Sequence, residues 1–145
     1  MPQHVFKYQK EIEYLLNEGC VLPNLHLIDK MEACRFASSL PNAQNHIPQY
    51  MTNPKRMLSD ITNNKATTSL LALSCFVSDT KAEKFFLALK KSNPRAVQSI
   101  GDSLSEGVLT QSDGEVTTPT PNGHFDLYEY VGCDLNKSFK ITRKL

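Results

Sequence analysis

No stretch of this sequence approaches the roughly 20 consecutive apolar residues that a membrane-spanning helix needs. Excess charge is missing as well. Sixteen basic residues stand against 15 acidic ones, so the usual electrostatic reason to expect nucleic acid or an anionic membrane as partner is absent. Glycine is scarce, with six in the chain, and no G-x-G-x-x-G or G-x-x-x-x-G-K-[ST] run occurs. That disfavours an ordinary nucleotide-dependent kinase or dehydrogenase. Cys20, Cys34, Cys75 and Cys133 are widely spread without a C-x-x-C pair, which removes the usual zinc and redox motifs, and no metal site is expected. There is no G-x-S-x-G elbow. The opening MPQHVFKYQKEIEYLL has acidic residues where the apolar core of a signal peptide would run, so the expected address is cytoplasmic.

What remains is an ordinary globular composition, 40% hydrophobic and 21% charged over 145 residues, which suits one domain with one core. Periodicity predicts a helix over residues 5–18, where Tyr8, Ile12, Leu15 and Leu16 share a face and Gly19 ends it. Residues 20–28 read as irregular around Pro23. A second helix is predicted over residues 30–40: Asp29 and Glu32 have capping-box spacing, and Ala33, Phe36, Ala37 and Leu40 line one side. Residues 41–52 form a long loop with two prolines, the kind of connection that often carries function.

Asn53-Pro54 and Asn93-Pro94 both read as an N-cap followed by proline at the first helical position. The second of these predicts a helix over 94–105. Between them, LLALSCFV (residues 70–77) is apolar on both faces, as in a central strand, and Ser78-Asp79 opens a further helix. From Gly107 the period changes to two. Ser112-Asp113-Gly114 reads as a hairpin turn, HFDLYEYV (124–131) as a strand, and SFKITRKL as a half-exposed strand. The expectation is an α+β fold over residues 1–145. A small antiparallel sheet, drawn from the C-terminal third plus a central strand near 70–77, packs against four or five helices.

Candidate chemistry is sparse. His124 and Asp126 share one strand face while Glu129 takes the other, which spoils a three-ligand metal site. The pair could still form a metal pair, act as a base with its orienting carboxylate, or be a plain polar row. His46 and Tyr50 could bind a ligand from the long loop. Tyr128 and Tyr130 would offer a contact surface if exposed. Cys75 lies mid-strand in an apolar run, where a thiol is inert.

The order along the chain adds one further clue. Arg35 (ACRFASS) precedes Ser74 on a strand followed by a helix, and Glu129 falls on a late strand. This order resembles that of ADP-ribosyltransferase-type folds. The resemblance implies an arginine for the phosphates of NAD, a hydroxyl for its nicotinamide side and a carboxylate that steers the acceptor. The chain departs from the pattern at 73–75, where Leu-Ser-Cys replaces a Ser-Thr-Ser triplet.

Two functions are therefore carried forward. One is a non-enzymatic binding or regulatory domain without a cofactor, acting on a protein or small-molecule partner through His46, Tyr50, His124, Asp126, Tyr128 and Tyr130. The other is an NAD-dependent transferase using Arg35, Ser74 and Glu129. A deep polar pocket favours the second and a flat aromatic patch the first.

Overall fold

The computed structural model describes residues 5–145, and the first four residues of the predicted signal-free opening lie outside them. The order of elements is α1 (Gln9–Asn17), β1 (His26–Leu27), β2 (Lys30–Ala37), α2 (Gln49–Thr52), α3 (Pro54–Thr62), a 3-10 turn (Thr68–Leu71), β3 (Leu73–Phe76), α4 (Asp79–Ser92), α5 (Pro94–Ile100), β4 (Ser103–Thr110), β5 (Gly114–Val116), β6 (His124–Glu129), α6 (Leu135–Ser138) and β7 (Phe139–Lys144). The seven strands form one antiparallel sheet in the order β1-β5-β6-β3-β2-β4-β7. The α+β class holds. Among the described residues the sheet is larger than expected, and six α-helices replace the expected four or five.

The punctuation signals are used as the sequence suggests. Asn53 and Asn93 accept from the backbone N–H groups of Arg56 and Ala96, each ahead of a first-turn proline. Ser78 accepts from Lys81 and starts α4. LLALSCFV contributes the central strand β3, although Leu70 and Leu71 belong to the preceding 3-10 turn.

Three expectations are corrected. The predicted helix 30–40 is strand β2, paired with β4 at every position from Lys30 to Ala37. Both faces of β2 are covered, so its apolar residues fall at helical spacing without a period of two, and sheet pairing overrides the local signal. The helix predicted over 94–105 stops at Ile100. Gly101 takes φ +112°, and a Cβ there would lie 2.3 Å from the Ala37 carbonyl oxygen. The chain turns there and returns as β4 beside β2. The turn at Ser112–Gly114 is real, with the Asp113 N–H donating to the Thr110 carbonyl, but the strands on either side of it do not pair.

That last correction bears on the shape of the sheet. Thr110 and Gly114 are four residues apart, so their Cα atoms lie within about 14 Å. In a flat sheet β4 and β5 would stand four strand spacings apart, or about 19 Å. The sheet therefore folds onto itself. Its inner face gathers Ala33 and Leu109 from one half with Leu73, Cys75, Phe125 and Leu127 from the other, and Phe139 closes the layer. Outside it, α4 covers Cys34, Phe76 and Leu104 with Ala82 and Phe85. Ile12, Leu15, Tyr50, Leu71 and Tyr128 form a third cluster between α1, α2 and the far end of β6.

Gly101→Ala is expected to lower the unfolding free energy by about 2–3 kcal/mol, with an unchanged slope in a urea titration. A loss below about 0.5 kcal/mol would mean that the turn accommodates a side chain.

Candidate functional site

The sheet is not continuous at its middle. β2 and β3 pair at one position only, Cys34 with Phe76. Past that pair the strands part. Arg35–Ala37 stays with Ser103–Ser105 of β4, while Leu73–Cys75 stays with Phe125–Leu127 of β6. Arg35 spans the opening. Its Nη1 donates to the Ser74 carbonyl at 2.5 Å, its Nη2 to the Asn45 carbonyl at 3.1 Å and its Nε to His46 Nδ1 at 3.1 Å. The residue is 8% exposed, and among the described residues it has no carboxylate partner. A buried cation is normally paired, so a guanidinium held by three neutral acceptors is an unanswered positive charge.

A cavity of about 880 Å³ opens beside it. One wall is apolar, made by Phe36, Phe76, Phe85, Leu89 and Ile100, and the polar lining includes Arg35, Asn45, Ser74, Asn122 and His124. The aromatic wall is braced internally. Phe76 lies 5.5 Å from Phe36 and 5.2 Å from Phe85 between ring centroids. A cleft with a mostly apolar wall and a few convergent polar groups is the usual form of a small-molecule site.

Register brings the polar groups together. Ser74 pairs with Asp126 across β3 and β6, and Phe76 with His124. Period two then puts Ser74, His124 and Asp126 on one face. His124 Nε2 lies 2.5 Å from Ser74 Oγ and 3.6 Å from Asp126 Oδ1. A serine–histidine–carboxylate relay needs the carboxylate on the ring nitrogen remote from the serine. Here one nitrogen faces both groups, so the arrangement is not a relay for nucleophilic serine. Burial raises the Asp126 carboxyl above its ordinary range, against the pull of His124.

The three buried thiols are poor nucleophiles. Burial, with Glu106 adding, raises Cys34 to about 12. Burial raises Cys75 to about 11, even with Arg35 lowering it. Burial and the nearby Glu129 raise Cys133 further still. Among the described residues no group of three or more His, Cys, Asp or Glu side chains could hold a metal ion. None of the helices is long and apolar enough to cross a membrane.

The remaining candidates are placed differently from the expectation. Arg35 and Ser74 share the cavity, but Glu129 does not line it. Its side chain is 2% exposed on the other face of β6, where Oε2 accepts from Lys7 Nζ at 2.6 Å. Lys7 also donates to the Cys133 carbonyl at 2.5 Å. His46 is absent from the wall, although its neighbours Asn45 and Ile47 line it. Tyr50 is core: 1% exposed, it donates to Asp60 Oδ2 at 2.8 Å. Tyr128 and Tyr130 are buried too, with hydroxyls meeting Thr68 at 3.2 Å and Glu115 at 2.8 Å, so they form no exposed contact face. Asn45, Phe36 and Phe85 escaped the sequence reading. Asn45 had a weak signal as a polar residue in a proline-bearing loop, whereas the phenylalanines looked like core.

No protein-family model, no curated protein and no solved structure matches this chain.

Two consequences concern the carboxylates. The raised Asp126 means that the folded state binds a proton more readily than the unfolded chain. Stability is therefore lost as pH rises from the unfolded value through the folded one. Asp126→Asn should be more stable than the parent at neutral pH, with the difference shrinking as pH falls toward the ordinary aspartate value. Thermal melts at several pH values check this, and an unchanged gap would refute it. Lys7→Met leaves the Glu129 carboxylate buried without its cation and should cost about 3 kcal/mol in a denaturant titration.

Proposed function

We propose that the cleft binds NAD and that the chain transfers its ADP-ribosyl group, with Asp126 rather than Glu129 as the carboxylate. The unanswered charge of Arg35 carries this reading. A guanidinium has five N–H donors; three meet acceptors of the loop and β3, and the Cys75 thiol lies within hydrogen-bond reach of the same group. A donor left over suits a phosphate oxygen. Ser74, whose carbonyl accepts from Arg35, lines the same cavity. Asp126 lies behind the wall, paired with Ser74 across β3 and β6 and 3.6 Å from the lining residue His124.

The chemistry follows from those positions. The glycosidic C1′–N bond to nicotinamide breaks, and nicotinamide leaves with the bonding pair. Positive charge develops at C1′ and the ring oxygen, where a nearby carboxylate stabilises it, as in other glycosidic transfers. The acceptor nucleophile then bonds to C1′ and gives up its proton. The apolar wall limits the entry of water, which would compete as acceptor.

A regulatory domain that binds a small ligand without turnover is the second reading. It is favoured by the contact between Ser74 Oγ and His124, which already engages the hydroxyl. A form acting through protein contacts would have to use surfaces other than the buried Tyr128 and Tyr130.

Calorimetric titration with NAD and assay of released nicotinamide decide between them. The transferase reading expects binding that Arg35→Ala abolishes. Asp126→Asn should still bind while releasing nicotinamide at least about 100-fold more slowly, and Glu129→Gln should alter neither. Binding without release would leave the regulatory reading, and no binding would sink the NAD assignment.

A further inference from the structure

The Arg35 guanidinium has to be held still to present a donor to a phosphate, and the means of holding it lies behind the cavity. On the reading of the cleft given above, we propose that His46 is a positioning residue that fixes the guanidinium plane of Arg35. It does not touch the ligand. Its ring is half-buried and off the cavity wall, with Nδ1 accepting from Arg35 Nε at 3.1 Å. The ring also packs edge-on to Phe139, at 5.9 Å between centroids and 65° between planes. Phe139 belongs to the inner core layer, so the imidazole is anchored to the folded sheet.

The neighbouring residue completes the clamp. Asn45 accepts from Arg35 Nη2 through its carbonyl oxygen. Its side chain makes a pair of bonds with the end of β2: Oδ1 accepts from Ser38 N–H at 2.7 Å, and Nδ2 donates to the Ser38 carbonyl at 3.1 Å. The loop is thus tied to the strand that carries Arg35, three residues beyond it. With Ser74 on the far side of the opening, the three guanidinium nitrogens each have one acceptor, and these define a plane.

An accepting Nδ1 requires a neutral imidazole with its proton on Nε2. Burial, aided by the adjacent Arg35 charge, lowers His46 to about 4, so the acceptor is present throughout the neutral range. A flexible arginine freed from this contact keeps its charge but loses a fixed fork. The effect should fall on recognition of phosphate geometry and leave the fold largely intact.

The test uses the full chain and separates the clamp from the ligand. In the parent, the Arg35 Nε–H signal in a nitrogen-15 NMR spectrum should exchange slowly with water. His46→Phe keeps a ring against Phe139 but has no acceptor. It should speed that exchange and weaken inorganic pyrophosphate binding by about tenfold, the scale of one hydrogen bond to a charged group. His46→Asn places a carbonyl oxygen near the former Nδ1 and should recover most of both. His46→Leu serves as the second acceptor-free variant if the phenylalanine fails to fold. Slow exchange and parental pyrophosphate affinity in an acceptor-free variant would overturn the assignment, as would failure of His46→Asn to recover either. A parent that binds neither pyrophosphate nor NAD would instead sink the reading of the cleft, while the Nε–H exchange still decides whether His46 holds Arg35.

Discussion

Where β2 and β3 part after the single pair Cys34–Phe76, an open sheet would leave backbone groups of both strands facing each other across a gap. Buried carbonyls need donors, and at this opening the donor is a side chain. Arg35 reaches the Ser74 carbonyl and ties the two halves together. The same residue therefore serves the fold and the cavity. Its position at the opening also explains why a cavity of about 880 Å³ forms there. The strands diverge, α4 covers the outer face, and the loop carrying Asn45 and His46 fills the remaining side.

The parity of β6 puts its two carboxylates on opposite faces. Residues 124 and 126 share a face with Ser74, and 125, 127 and 129 face the inner layer. Glu129 is spent on Lys7, in an ion pair that fastens the N-terminal segment to β6. Backbone bonds accompany it, from Lys7 N–H to the Glu129 carbonyl and from Val131 N–H to the Val5 carbonyl. Among the described residues Asp126 has no lysine or arginine partner, and burial holds its proton more firmly than in water against the pull of His124. The two residues are three positions apart in sequence and belong to different parts of the molecule.

Much of the architecture was legible in the residues: the Asn-Pro starts of α3 and α5, the serine that caps α4, the two-sided apolar run at β3 and the alternation in β6. Strand β2 was not. A strand covered on both faces carries no alternation, and Ala33, Phe36, Ala37 and Leu40 happened to repeat at helical spacing. Reading β2 as a helix put Arg35 in the wrong kind of element while leaving its order relative to Ser74 correct. Arg35 and Ser74, named from order along the chain, do line one cavity, while Glu129 does not. That Asp126 pairs with Ser74 follows from register, which is a property of the folded sheet. The burial of Tyr128 and Tyr130 was hidden for the same reason as β2, because helices cover a face that the sequence leaves open to either reading.

Arg35 and Asp126 together make the site a cost to the fold. One is a charge taken from water without a counter-ion among the described residues, and the other is a carboxylate in surroundings that disfavour its ionised form. The bond from Arg35 to the Ser74 carbonyl returns part of the first cost, whereas apolar residues of similar size would pack the opening without either penalty. The surrounding Phe36, Phe76 and Phe85 cluster and the bonds to Asn45 and His46 offset that cost while keeping Arg35 on the cavity wall. Local rules broken at one place and compensated around it are the mark of a site kept for binding or chemistry. A phosphate-bearing ligand would supply the negative charge that Arg35 lacks. Its binding free energy would then add directly to that of folding, because the unfolded chain has no cleft to offer it.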